Sequence, residues 1–348
     1  MREKILAFLQ REIDLKHIPG AVIGITHNGK VIIEEAIGHS AVYPEKTPMK
    51  QNTVFDLASL TKVVATLPVI LKLIDDGEVR LDDPVSFFLP EFGQKGKEHI
   101  TVRHLLTHTS GLPAHKQYYV EDLTTDQILE RIYGESLEVP TGSKVIYSDL
   151  GLITLYKIIE LLTGQPFERF VEKEIFAPLG MIETGFNPTF EKERFAATEF
   201  SEKLKGYKKG IVHDDNTESM GGISGHAGLF STIQDLQKYA EMIENNGAYK
   251  GKQILSEAVL HLSRNNFTSF DQEYRGLGWI LKSPVLSSCG DLFSQGSYGH
   301  TGFTGTSIWF DPKVNLTVIL LTNRVHFGRQ PHILRLRPRL HNMIRAHF

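Results

Sequence analysis

The sequence holds a single cysteine, Cys289, so no disulfide can form within the chain. It sits in Ser287-Ser288-Cys289-Gly290, with no histidine motif to make it a nucleophile, and reads as incidental. No stretch approaches the roughly 20 apolar residues of a membrane span. The N-terminus also lacks the unbroken apolar core and small-residue cleavage site of a signal peptide. Ile5, Leu6, Leu9 and Ile13 recur there at helical spacing among charged residues. With residue 1 as the natural start, the expected location is the cytoplasm. Excess charge is missing too: the formal net charge of −3 over 348 residues and the absence of a long basic run speak against nucleic acid as a partner. Arg335, Arg337, Arg339 and Arg345 near the C-terminus read as a solvated helix face beside an apolar one.

What is present is ample apolar content, 41% of residues, enough for one large domain or two closely packed ones. Residues 21–38 read as a β-hairpin, with two β-rich runs flanking Asn28-Gly29. Helical patterns follow at 61–76, 101–107, 124–133, 150–163 and 168–178. Pro68 would kink the first of them or mark a tertiary adjustment. Beyond residue 205 the chain is rich in glycine, then helical from Ile233 to Asn245. Strands are expected at 275–282, 297–303, 305–310 and 316–322, and a last helix broken by Pro338.

Strands at both ends with helices between them predict an α/β (α+β) fold with an antiparallel sheet flanked by helices. Residues 1–58 together with 205–348 would form the sheet region, and 59–204 a mostly helical region. The two would make one compact unit with the active site between them. The sequence does not fix an oligomeric state.

Three short motifs carry chemistry. In Ser59-Leu60-Thr61-Lys62, a helix would place the serine hydroxyl and the lysine amine on one face. A serine needs a neighbour to take its proton, and a helix start offers free N–H groups. Alone, the pattern equally describes a helix cap followed by a surface lysine. Tyr147-Ser148-Asp149 puts a phenol, a possible base or relay, at a helix entry, where a simple cap is the alternative. His300-Thr301-Gly302 lies in a strand whose small residues let a substrate backbone approach and whose N–H groups could bind an oxyanion. A glycine-rich edge strand is the plain alternative.

The order and spacing of the three motifs resemble the penicillin-recognising serine enzymes, with their Ser-x-x-Lys, Tyr-x-Asn and Lys-Thr-Gly elements. The group includes the class C β-lactamases, D-alanyl-D-alanine carboxypeptidases, penicillin-binding proteins and related esterases. Leu105-Leu106-Thr107-His108-Thr109-Ser110-Gly111-Leu112-Pro113 and Gly228-Leu229-Phe230-Ser231-Thr232 extend the likeness, which covers about residues 15–325. It implies a β-lactamase/transpeptidase-like fold and a serine hydrolase that cleaves an amide or ester, in a cell-wall-like peptide, a β-lactam or a small ester. Ser59 would be acylated, and Lys62 and Tyr147 would manage the proton. The N–H groups of Ser59 and Phe303 would form the oxyanion hole. Asp149, His300, Thr301, Gly302 and Phe303 would contact the substrate, with His115 on the rim. No metal or organic cofactor is implied, and the partner is a small-molecule or peptide substrate. A penicillin-binding or sensing protein that is acylated with little turnover is the alternative. A catalytically silent scaffold is a third reading, against which the intact Ser59, Lys62 and Tyr147 speak.

Two positions depart from the family pattern. Asp149 stands where Asn is usual and could pair with Lys62, holding it charged. His300 stands where Lys is usual, and is expected to gain a proton only if Asp149 raises its pKa. Less positive charge in the cleft predicts slow β-lactam hydrolysis. A further set, His213, Asp214 and His226, resembles the rim loop of the cell-wall-recycling branch, which includes N-acetylmuramoyl-L-alanine amidases. Its His-Asp and His spacing also suits metal ligands. A hydrogen-bonded network that holds the loop is the favoured reading of it.

Overall fold

A computed structural model describes residues 1–348. Helix α1 (Arg2–Asp14) leads into strands β1 (Gly20–His27) and β2 (Lys30–Ala41). Asn28 and Gly29 join these strands with φ of 49° and 71°, the left-handed pair that a tight primed hairpin needs. After β3 (Thr47–Pro48), the sheet is completed from the far end of the chain by β4 (Ile280–Leu281), β5 (Tyr298–Thr301), β6 (Ser307–Asp311) and β7 (Leu316–Thr322). The order is β4-β5-β6-β7-β1-β2-β3, with antiparallel pairing throughout. Ala21 pairs with Thr322 and His27 with Leu316, so the two ends of the chain meet at the middle of the sheet.

Alternation along the strands divides the interior into two cores. Ile308, Phe310, Ile319 and Leu321 join the larger core, which runs into the helical part of the molecule. Trp309, Val318 and Leu320 face the other way, onto Ile5 and Leu9 of α1 and onto Ile333, Leu336, Leu340 and Ile344 of the last helix, His332–Arg345. His300 pairs with Ile308 and so shares the face that looks toward the helical part.

Proline does less damage than the sequence suggests. The turn over Lys62–Thr66 opens to a π-type turn that runs straight into the helix Leu67–Asp75, and the Tyr239 hydroxyl donates to the Val63 carbonyl in the turn before Pro68. The last helix runs through Pro338 rather than breaking there. Its apolar stripe is buried against the sheet, which outweighs a proline cost of about 3 kcal/mol. The same stripe corrects the solvated reading of the arginines: Arg337 is buried. The strand expected over 275–282 shrinks to Ile280–Leu281, because Gly278 adopts a φ of 71° and Gly276 donates its N–H back to the Trp279 carbonyl in a turn. No helix is long and apolar enough to cross a membrane.

Candidate active site

Ser59 follows a sharply constrained segment. Phe55–Asp56 pairs with Leu229–Ser231, and Ala58 then takes a φ of 47°, an unfavourable left-handed conformation for a residue with a β-carbon. The buried Asp56 carboxylate holds it there. One oxygen accepts from the Ala58 N–H at 2.8 Å and the other from the His213 N–H at 2.6 Å. A 3₁₀ turn over Ala58–Leu60 then passes into the π-type turn, placing Lys62 one turn from Ser59.

The Lys62 side chain is buried, and its Nζ donates to Ser59 Oγ at 3.1 Å, to Asp149 Oδ1 at 2.8 Å and to the His226 carbonyl at 3.1 Å. Burial disfavours the ammonium, but Asp149, with Tyr147, more than offsets it and holds the Lys62 pKa above its ordinary value. Burial likewise works against the Asp149 charge. Lys62, His226 and His115 overcome it and pull the carboxyl far below the usual range. His115 Nδ1 lies 3.5 Å from Asp149 Oδ2, and that contact raises its pKa.

Tyr147 is held by its neighbours in sequence. The His108 carbonyl accepts from the Ile146 N–H at 2.9 Å, and His108 Nδ1 accepts from the Ser148 N–H at 3.1 Å. Ser148 Oγ donates to the Pro113 carbonyl, and the Asp149 N–H to Ala114 O. The histidine of the 105–113 segment therefore clamps the backbone on both sides of Tyr147. Lys62 Nζ lies 4.8 Å from the centre of the tyrosine ring, and the buried phenol oxygen has no hydrogen-bond partner.

The His300–Phe303 stretch docks onto the segment that carries Ser59. Thr304 Oγ1 donates to the Asp56 carbonyl at 2.8 Å and Thr306 Oγ1 to the Leu57 carbonyl at 3.0 Å. Gly302 is required: a β-carbon there would overlap the Thr306 hydroxyl and the Leu57 carbonyl. Arg337 Nη2 donates to the carbonyls of Gly302 at 2.9 Å and Thr306 at 2.7 Å, pinning this turn from the last helix. Phe303 is exposed, its ring stacked on His213 at 5.5 Å and covered by Arg324 at 4.7 Å. Thr301 is half-buried.

His300 keeps the neutral state expected of it without a neighbouring charge that raises its pKa. It is 1% exposed, and burial, then Arg275 and Lys62, push its pKa well below the ordinary value. Its Nδ1 faces the Thr301 carbonyl at 2.9 Å and must donate, so the neutral ring presents a lone pair at Nε2. A charged anchor for a substrate carboxylate is thus absent at this position.

The rim set forms two separate histidine–carboxylate pairs. His213 Nε2 lies 2.9 Å from Glu199 Oε2, and His226 Nε2 lies 3.0 Å from Asp214 Oδ1. Asp214 also accepts from the N–H and hydroxyl of Thr217, and Ser224 bonds His226 Nδ1. This is a hydrogen-bonded network that fixes the loop supplying the His226 carbonyl to Lys62. Ser59, Tyr147, Asp149, His115, Asp214 and Phe303 all line one cleft of about 340 Å³.

Sequence reasoning missed Arg275 and Arg337. The buried stripe Ile333, Leu336, Leu340, Ile344 runs beside Arg337 and His341, so the helical period carried a signal for Arg337. Arg275 pairs with Ile280 in a single antiparallel bridge at the start of the expected strand, too short an extended stretch for alternation to mark its side chain as buried.

Fold and relatives together define a serine hydrolase of the β-lactamase and penicillin-binding type. The chain belongs to the Beta-lactamase family, whose pattern matches residues 7–340. An N-acetylmuramyl-L-alanine amidase of Bacillus subtilis (strain 168) is 33% identical over 361 residues, spanning 93% of this chain and 81% of that protein. An Escherichia coli (strain K12) protein described as "Putative D-alanyl-D-alanine carboxypeptidase" is 32% identical over 92% of this chain and 81% of its own length. Among solved structures, EstCE1, a hydrolase with promiscuous acyltransferase activity, shares the fold with a TM-score of 0.79 at 24% identity, covering 98% of each chain.

Proposed function

We propose that Ser59 is the acylated nucleophile and that the natural substrate is an amide or ester in a small cell-wall-derived peptide or a similar molecule. The carrying observation is Lys62 Nζ, which bridges Ser59 Oγ and Asp149 at 3.1 and 2.8 Å. In this reading Ser59 Oγ attacks the carbonyl carbon, and its proton passes to a base beside it. The N–H groups of Ser59 and Phe303 stabilise the oxyanion. The leaving group departs with a proton, and water then attacks the acyl carbon and frees Ser59. Residues 1–58 with 205–348 would supply the sheet wall of the cleft, and residues 59–204 the helical wall.

Charge supports the substrate class. Asp149 is ionised, His300 is neutral, and Lys62 is consumed by its carboxylate partner. The one arginine lining the cleft, Arg329, is paired with Glu199, while Asp149, Asp214 and Asp215 line it too, so a neutral amide or ester is favoured over a penicillin. The two relatives above are named as a D-alanyl-D-alanine carboxypeptidase and an N-acetylmuramyl-L-alanine amidase, names for amide hydrolysis that fit this class.

A second reading, a protein acylated with little turnover, is favoured by the charged state of Lys62, which weakens it as a base for deacylation. Incubation with p-nitrophenyl acetate, a muramyl peptide and a chromogenic β-lactam, with intact mass followed, separates the two. The expected outcome is steady product from the ester or peptide and slow β-lactam turnover. A stable mass increment without turnover supports the second reading. Ser59→Ala should lose labelling and turnover by several orders of magnitude, since such groups act as a unit. Labelling at the wild-type rate in that variant removes Ser59 from its role.

A further inference from the structure

A cavity of about 370 Å³ opens beside the β1–β2 hairpin turn and shares no lining residue with the cleft that holds Ser59. Its floor is apolar: the rings of Tyr298 in β5 and Phe310 in β6 stack at 4.9 Å. Asn315 and Asn28, joined by a side-chain hydrogen bond at 3.0 Å, form part of its rim. Two charge-bearing side chains reach it from separate helix ends. Glu244 closes the helix Ile233–Glu244, and Arg264 follows the helix Glu257–Ser263.

Neither side chain has a charged partner, and they do not pair with each other. Arg264 is half-buried, with Cζ 4.8 Å from the centre of the Tyr298 ring. It donates from Nη2 to the Ile243 carbonyl at 2.9 Å, which leaves the rest of its fork without a carboxylate. Glu244 is half-buried as well. It accepts from the Thr317 hydroxyl, and burial pushes its carboxyl up to about 7. Its place at a helix C-terminus adds to this, because the carbonyl ends there repel an anion and attract a cation. The other acid on the wall is already engaged: Asp311 accepts from the Ser294 N–H and hydroxyl and from Arg345 Nε at 2.9 Å.

The cavity therefore offers a guanidinium at one point, a carboxyl group beside helix carbonyls at another, and aromatic rings between polar rims. A simple anion would leave Glu244 unanswered, and a simple amine would leave Arg264 unanswered. A molecule with both charges and a small apolar group answers both, and a carboxylate matches the guanidinium fork in shape. We propose that this cavity is a second binding site, which takes a free α-amino acid with its carboxylate on Arg264 and its ammonium on Glu244. An amino acid is also a product class of peptide hydrolysis, a link that rests on the reading of the Ser59 cleft. The binding itself does not depend on that reading.

The test titrates alanine, of either hand, into the ¹⁵N-labelled whole chain and follows backbone amide shifts. Saturable binding with a Kd of about 0.1–10 mM is expected. The shifts should concentrate at Asn245, Asn315 and Leu316, and not at Ala58 or Ala227 of the cleft. Alaninamide lacks the carboxylate and N-acetylalanine lacks the ammonium, and each should bind at least about tenfold more weakly. Arg264→Gln should erase the preference for alanine over alaninamide, and Glu244→Gln the preference over N-acetylalanine. Equal binding of either analogue to the wild-type chain overturns the proposal. So do shifts confined to the cleft, or no saturable shift up to about 100 mM alanine. Should a variant not fold, the three ligands on the wild-type chain decide alone. Undiminished turnover by Ser59→Ala would remove the reading of the cleft and leave this site untouched, since its binding is read without catalysis.

Discussion

Lys62 has its three ammonium protons matched to three acceptors, Ser59 Oγ, Asp149 Oδ1 and the His226 carbonyl. Replacing Asp149 leaves a buried cation without its counter-charge, a change that costs about 3–5 kcal/mol at comparable sites. Asp149→Asn should therefore lower stability by that order at pH 7, measured by urea unfolding. The sign with pH follows from the depressed Asp149 pKa. Its contribution is complete above the unfolded value of about 3.9 and is lost as pH falls toward the folded value. The gap between wild type and Asp149→Asn should thus be constant from pH 8 to 5 and narrow below pH 4. A gap that widens in acid contradicts the ion pair. The pairing of Asp149 with Lys62 could be anticipated from residue types alone. His300 was expected to be neutral unless Asp149 raised its pKa; what residue types could not show is that burial and Arg275, 25 residues away in sequence, push that pKa down.

At the scale of elements, the turn after β5 links the sheet to the nucleophile segment. Its grip comes from Thr304 and Thr306 on one side and from Arg337 on the other. Gly302→Ala should push the turn off Leu57 and misplace the Phe303 N–H. The expected result is a loss of about 100-fold in kcat, the scale of removing one oxyanion donor, with little change in the acid limb of the pH profile. Wild-type kcat in this variant would show that the turn does not need the close approach. Element by element, the hairpin at Asn28-Gly29 and the helices over 125–134, 149–163 and 233–244 were legible, since periodicity and caps are local signals. Thr124, Thr232 and Gly164 sit at their ends as those signals require. Pro68, Pro338 and the shortened β4 were not legible. Each outcome turns on packing or on a turn that local propensity does not encode.

For the whole molecule, the two cores have separate tasks. The larger one backs the cleft, while the smaller one, under α1 and the last helix, ties both chain ends to the outer face of the sheet. Leu340 is fully buried in the smaller core. Leu340→Ala should cost about 2–5 kcal/mol by transfer and cavity terms, read as a lower thermal midpoint. Its kcat and KM at 25 °C should stay near wild type, because the cavity lies on the far side of the sheet from Ser59. A large kcat loss in folded Leu340→Ala would show that the outer core sets the site through Arg337. By itself the sequence determined the alternation of strands and helices, the antiparallel sheet closed from both ends, and the three motifs that resemble one enzyme group, because these are written in period, turn chemistry and spacing. Only the tertiary structure decided which histidines are charged, which arginines are buried, and that Arg275 and Arg337 stand behind the site. Those outcomes depend on desolvation and on neighbours brought together from distant positions, and neither quantity is a property of any local run of residues.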